Sequence, residues 1–164
     1  MKKGWILITL AAGLLLWGCT AEPTLETVAD EWVQSVMAQP RQIQVDLPEG
    51  ALAPVLDSDS EQVYLSDDYE IIVETLSAGD VNATVEHLSG YSRDNLTLMQ
   101  TQQGDVDRYE FVWASTGEDG ERLGRAVILD DGNYHYCMSV LRDADTTKTS
   151  QIVWSQVFDS FCLA

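Results

Sequence analysis

Reactive chemistry in this chain rests on few residues: three cysteines, two histidines and a large surplus of carboxylates. His135 and Cys137 stand two apart in a run of strand character, so they share a face, the placement a thiol nucleophile and its base would need. Hydrolysis also needs an orienting group, and neither G-x-S-x-G, H-E-x-x-H nor a glycine-rich phosphate loop occurs. No cofactor is expected, and the plainer reading of His135 and Cys137 is a pair packed beneath the last helix. A second constellation is acidic. Asp57, Asp59 and Glu61 alternate as the first oxygen ligands of a calcium loop do, with Asp68 at the twelfth place. Gln62 takes the sixth place, where the sharp turn needs glycine, and Asp68 replaces the bidentate Glu. These four acids read first as a solvated loop and only second as metal ligands. Asp130-Asp131-Gly132-Asn133 likewise reads as a hairpin turn.

Cys19 has a different chemistry, set by what precedes it. Lys2 and Lys3 lead an apolar run from Trp5 to Trp17, broken only by Thr9 and Gly13. The run is shorter than the roughly 20 apolar residues of a membrane span and fits the core of an export signal. Leu16-Trp17-Gly18-Cys19 then resembles the lipobox of bacterial lipoproteins: an aliphatic residue, a small residue before the cysteine, and the obligatory Cys. Trp17 departs from the pattern, which has a small residue there. The resemblance implies removal of residues 1–18, acylation of Cys19, a tether over residues 19–23, and a place at the cell membrane facing outside the cytoplasm. Multiple acyl chains hold a protein stably where a single chain is marginal. Cys19-Thr20-Ala21 also suits an ordinary signal peptidase, and an uncleaved anchor is the third reading.

Charge narrows the partners. The chain has 27 acids against 9 bases, and loss of Lys2 and Lys3 leaves 7 bases, a net of −20. Such a surface does not bind nucleic acid through its phosphates, and anionic headgroups repel it, so the acyl anchor must hold it to the membrane. With Cys19 acylated, Cys137 and Cys162 remain as a pair in an exported protein, where disulfides persist. A bridge there would contribute roughly 3–4 kcal/mol; two buried free thiols are the alternative.

Residues 24–164 have the length of one domain. Leu25, Val28, Trp32 and Val36 form a helical stripe from Thr24 to about Gln39, ended by Pro40. Arg41 to Leu47 alternates as a half-buried strand. Strands follow over Gln62–Leu65 and Tyr69–Leu76, with Ser66-Asp67-Asp68 between them. Asp80 caps a helix over Val81–Leu88 that ends at Ser89-Gly90. Four more strands are expected over Leu96–Thr101, Arg108–Ala114, Arg122–Leu129 and Tyr134–Arg142, joined by Gly-, Asp- and Asn-rich turns. A last helix from about Thr147 carries Trp154, Val157, Phe158 and Phe161 on one face. The expected fold is α+β: a mostly antiparallel sheet of six to seven strands with helices packed on it, an α/β sandwich following the signal peptide. Tyr134, Tyr136, Met138 and Val140 share one face of the penultimate element. Cys137 is on the other, expected to meet the layer that holds Cys162.

This order of elements, closing on a strand, a polar turn, a long aromatic strand and a Phe-rich helix, resembles the PsbP-like fold over residues 40–164. That resemblance is topological and transfers no functional residue; it implies an accessory or binding protein without catalysis. Trp32, Trp113, Trp154 and the Tyr109, Tyr134 and Tyr136 group read as core, with a ligand or partner groove as the second reading. The sequence therefore favours a non-catalytic, lipid-anchored envelope protein that binds a partner protein or small ligand. An envelope enzyme with a scattered, hydrolase-like site is the alternative. Mass spectrometry of the native N-terminal peptide should find acylated Cys19, and Cys19→Ala should release the protein or trap its precursor. An unmodified N-terminus at Glu22 would establish ordinary secretion instead.

Overall fold

Short polar turns force successive strands to fold back on one another, and the chain does so repeatedly. The computed structural model describes residues 38–164 except 52, 118–119 and 145–147, with residues 117 and 148–150 described by their backbone alone. The export signal, Cys19, the tether, the helix expected from Thr24, and the expected helix start at Thr147 lie outside the described residues. In chain order the elements are β1 (Ile43–Gln44), β2 (Leu56–Asp57), β3 (Glu61–Leu65), β4 (Tyr69–Ser77), α1 (Val81–Ser89), β5 (Met99–Gln103), β6 (Val106–Gly117), β7 (Gly120–Asp130), β8 (Tyr134–Asp143), α2 (Lys148–Ser160) and β9 (Cys162–Leu163). The fold is α+β. Seven strands form one antiparallel sheet in the order β2-β3-β4-β8-β7-β6-β5, and β1 pairs with β9 as a separate ribbon.

Register follows from alternation. β4 pairs with β8 from Tyr69↔Arg142 to Ser77↔Tyr134, which puts Ile71 and Val73 opposite Val140 and Met138 on one face. α2 covers that face: Trp154, Val157, Phe158 and Phe161 are buried against Val127, Leu129, Tyr136, Met138 and Val140. Tyr69 meets Trp154 edge to face at 5.1 Å. α1 covers the opposite face, where Val85 packs with Phe111, Trp113, Ala126, Ile128 and Cys137. Gly124 is required there, because a Cβ at that position would collide with the Trp113 indole opposite it.

The local signals of α1 hold. Asp80 Oδ1 accepts from the Asn82 N–H at 3.0 Å, and Gly90, at φ 75°, ends the helix while its N–H reaches Glu86 O at 2.8 Å. In the β7–β8 turn, Asp131 Oδ1 accepts from the N–H groups of Asn133 and Tyr134 at 2.9 and 2.8 Å.

Two expectations change. Arg41–Leu47 alternates as expected, with Ile43, Val45 and Leu47 packed on the α2-side core, but only two residues pair, and with β9 rather than the main sheet. Leu96 and Leu98 precede β5 instead of belonging to it; they turn in to the α1-side core. Phe158 is 1 % exposed at the centre of the α2 face. Phe158→Ala should cost about 3–5 kcal/mol, read from urea unfolding; an unchanged midpoint would make α2 peripheral.

Candidate functional site

His135 and Cys137 do share a face, but it lies under α1 rather than under the last helix. His135 is fully buried, and its Nδ1 sits 2.8 Å from Thr84 Oγ1 on α1. Its Nε2 has no hydrogen-bond partner and lies 3.6 Å from Asp130 Oδ2. Thr84, His135 and Asp130 thus follow the order of a hydroxyl–imidazole–carboxylate triad. With Thr84 7 % and His135 0 % exposed, no substrate reaches the hydroxyl, and the arrangement pins α1 to the sheet. Cys137 stands opposite Glu74, whose carboxylate oxygens lie 3.1 and 3.2 Å from His87 Nε2. Burial first, and the Glu74 charge second, push the Cys137 thiol pKa well above its ordinary value. A nucleophilic thiolate needs the opposite shift.

The proposed pairing of Cys137 with Cys162 is not made. Both are free thiols: Cys137 is in the α1-side core, and Cys162 is in β9, which borders the α2-side core through Leu163. The sheet separates them, because even and odd positions of β8 point to opposite sides. Of the four acids, Asp57, Asp59 and Glu61 share the β2–β3 hairpin, and Asp68 stands apart from them beyond the far end of β3. Asp57 is in β2 and accepts from Gln62 Nε2 at 2.9 Å; Glu61 opens β3 opposite Glu74. Asp59 lies in the intervening turn, and Asp68 lies in the β3–β4 turn. An extended strand of five residues spans roughly 16 Å, so a loop cannot close round an ion here. Among the described residues no group of three acidic, His or Cys side chains converges.

The site that sequence reasoning missed lies under α2. Arg108 and Glu110 stand on the otherwise apolar inner face of β6, and Arg125 on that of β7. Arg108 donates to the carbonyls of Phe158 and Phe161 at 2.9 and 3.3 Å, meeting acceptors that a helix C-terminus leaves open. Its Nε donates to Glu110 at 2.8 Å; Arg125 donates to the other Glu110 oxygen at 2.7 Å and lies 4.1 Å over the Phe158 ring. Polar residues recurring on an inward strand face were the available signal.

Toward the far end of β6, β7 and β8, α2 stands off the sheet. The gap is a cavity of about 590 Å³, floored by Val112, Leu123, Arg125 and Arg142 and roofed by Trp154 and Phe158. Trp113 and Trp154, expected in the core, are both buried and also border this cavity. Tyr136 instead donates to Asp131 at 2.8 Å and accepts from the Arg41 N–H at 2.9 Å, tying the entering chain to the β7–β8 turn.

No protein-family model and no curated protein matches this chain. Among solved structures, a protein from Bacteroides thetaiotaomicron is similar in fold, with a TM-score of 0.50 and 12% identity. The match covers 74% of this chain and 45% of that one, so the chain spans less than half of its length. At that identity the likeness concerns the fold alone.

Two measurements probe these groups. Denatured without reductant, Cys137 and Cys162 should each take one alkyl group; in the folded protein Cys137 should be protected. Burial raises the Glu110 pKa, but the hydrogen bonds and charges of Arg125 and Arg108 outweigh it, and the net shift is downward. A folded-state pKa below the unfolded one stabilises fully above the ordinary glutamate value of about 4.3 and is lost as pH falls through the folded value. Glu110→Gln should therefore cost about 1.5–3 kcal/mol at neutral pH. Its deficit against the unsubstituted protein should shrink in acid, as urea unfolding across pH will test.

Proposed function

We propose that the chain is an exported, lipid-anchored envelope protein of non-catalytic type that binds a small ligand or partner outside the cytoplasm. Leu16-Trp17-Gly18-Cys19 supports the anchor. Two or more acyl chains would hold a domain whose own surface anionic lipids repel. The cavity beneath α2 carries the binding half of the reading. Its volume of about 590 Å³ falls in the range of small-molecule sites, and its wall combines apolar side chains with a few polar groups. The buried positions of Cys137 and His135 support a non-catalytic role, since both are 0 % exposed. Its topological resemblance to the PsbP-like fold agrees with an accessory or binding role.

Protein extracted from its native membrane should carry an acylated Cys19 and release a stoichiometric small molecule, or a bound partner, on denaturation. Release of neither would remove the binding reading. An unmodified Glu22 N-terminus would remove the anchor without touching it.

A further inference from the structure

The large sheet has β2 at one edge and β5 at the other, and the chain guards only the first. An edge strand presents unpaired N–H and C=O groups to any passing strand, and proteins blunt it by shortness, proline or charge. β2 has all three: it is two residues long, Pro54 stands just before it, and Asp57 ends it. β5 has none. It runs for five residues in unbroken register with β6, and Met99, Gln100, Thr101 and Gln102 are all exposed. From Leu96 to Gln103 there is no charge and no proline, in a chain of which 22% is charged. Met99 is 57 % exposed, an apolar side chain left in water at this edge.

The two-residue turn Gly104-Asp105 fixes which groups face outward. It makes Gln103 and Val106 a hydrogen-bonded pair, and bonding alternates along an antiparallel ladder. Thr101 and Met99 therefore bond to β6, while Gln100 and Gln102 turn their N–H and C=O away from it. Among the described residues no backbone hydrogen bond from a loop reaches those groups.

We propose that β5 pairs antiparallel with β5 of a second copy of the chain, about a two-fold axis through Thr101. Gln100 then lies opposite Gln102 of the second copy, and each such pair exchanges both of its backbone hydrogen bonds. Sliding by two residues would set Gln102 opposite Leu98, which has left the sheet for the α1-side core, or Gln100 opposite Gly104 in the turn. The side chains also suit themselves. A Gln amide is both donor and acceptor, so Gln opposite Gln is complementary, and Thr opposite Thr is a favourable cross-strand pair. Met99 is covered by the strand opposite. A charge at any of these positions would sit close to its own image, and like charges directly opposite are destabilising. That restriction falls on self-pairing alone. An edge built for a foreign strand gains by carrying charge opposite to its partner's, and this one carries none. The acidic surface elsewhere opposes the approach of two copies, so the dimer is weak at low salt and tightens as salt screens the repulsion.

Sedimentation equilibrium of the full-length protein, in detergent matched to the density of the solvent, should show a monomer–dimer equilibrium that strengthens with added salt. Thr101→Lys and Thr101→Glu should each weaken the dimer about tenfold or more, by setting like charges on the axis. An equimolar mixture of the two should recover it, because position 101 then faces its opposite charge. Gln102→Pro removes an outward N–H while leaving the β6 ladder intact, and should also dissociate the dimer. Position 101 is exposed, so its variants keep the fold, as near-ultraviolet circular dichroism will show. A monomer throughout the concentration and salt series would overturn the pairing. So would a dimer indifferent to Thr101→Lys, the result that acyl chains sharing one micelle would give. A mixture of folded Thr101→Lys and Thr101→Glu proteins that stays monomeric would overturn it as well.

Discussion

A helix that ends against a sheet must find donors for its last carbonyls where water is scarce, and in this protein Arg108 is the main one. Its guanidinium reaches Phe158 and Phe161, and Gln103 Nε2 adds a second donor to Phe161 at 3.3 Å. Placing that cation on an inner strand face costs desolvation, which is offset only if its remaining donors are met. Glu110 and Gln103 accept them, at 2.8 and 2.7 Å. Glu110 in turn recruits Arg125, which stacks on Phe158 and so returns to the helix where the chain of contacts began. Helix position, strand register and the buried charges are thereby one coupled arrangement. Removing any single member leaves an unpaired group in the interior.

That attachment lies at one end of α2, and its consequences appear at the other. Strands in a sheet rotate relative to each other, whereas a short helix stays straight, so close contact along the whole helix is hard to keep. Here the close contact falls at the Phe158–Phe161 end, fixed by Arg108. The gap falls where Val112 and Leu123 stay uncovered. The cavity is thus a product of where the helix is anchored, and the arginines beside it come from the same strand faces that serve the anchor.

The α1 side solves a different problem with different chemistry. Thr84 and His135 form a buried hydrogen bond, and His87 reaches Glu74 at the edge of the same layer. Polar pairs of this kind contribute modest net stability but penalise misplacement strongly. They therefore set the position of α1 more than they strengthen its attachment. Cys137 fills the space between, as a small apolar group whose thiol is held protonated by burial.

The sequence alone was sufficient for elements whose signals are local. Asp80 and Gly90 bracket α1 because a cap needs only its own neighbours. Asp130 to Asn133 makes the hairpin for the same reason, and the spacing of Trp154, Val157 and Phe158 marks the buried face of α2 without reference to its partner. Which sheet face receives that helix was beyond it. Along β8 both faces are buried from His135 to Val140, so alternation separates two sets of side chains without saying which helix covers either. The expected meeting of Cys137 with Cys162 failed at that step. The short pairing of β1 with β9 joins segments 118 residues apart, from Gln44 to Cys162, and no local pattern encodes it. Nothing local to Arg108 or Arg125 names the groups they meet at the end of α2. Arg108 depends on acceptors some 50 residues away in sequence, at Phe158 and Phe161, and Arg125 on the Phe158 ring, all of which only the folded chain brings within reach.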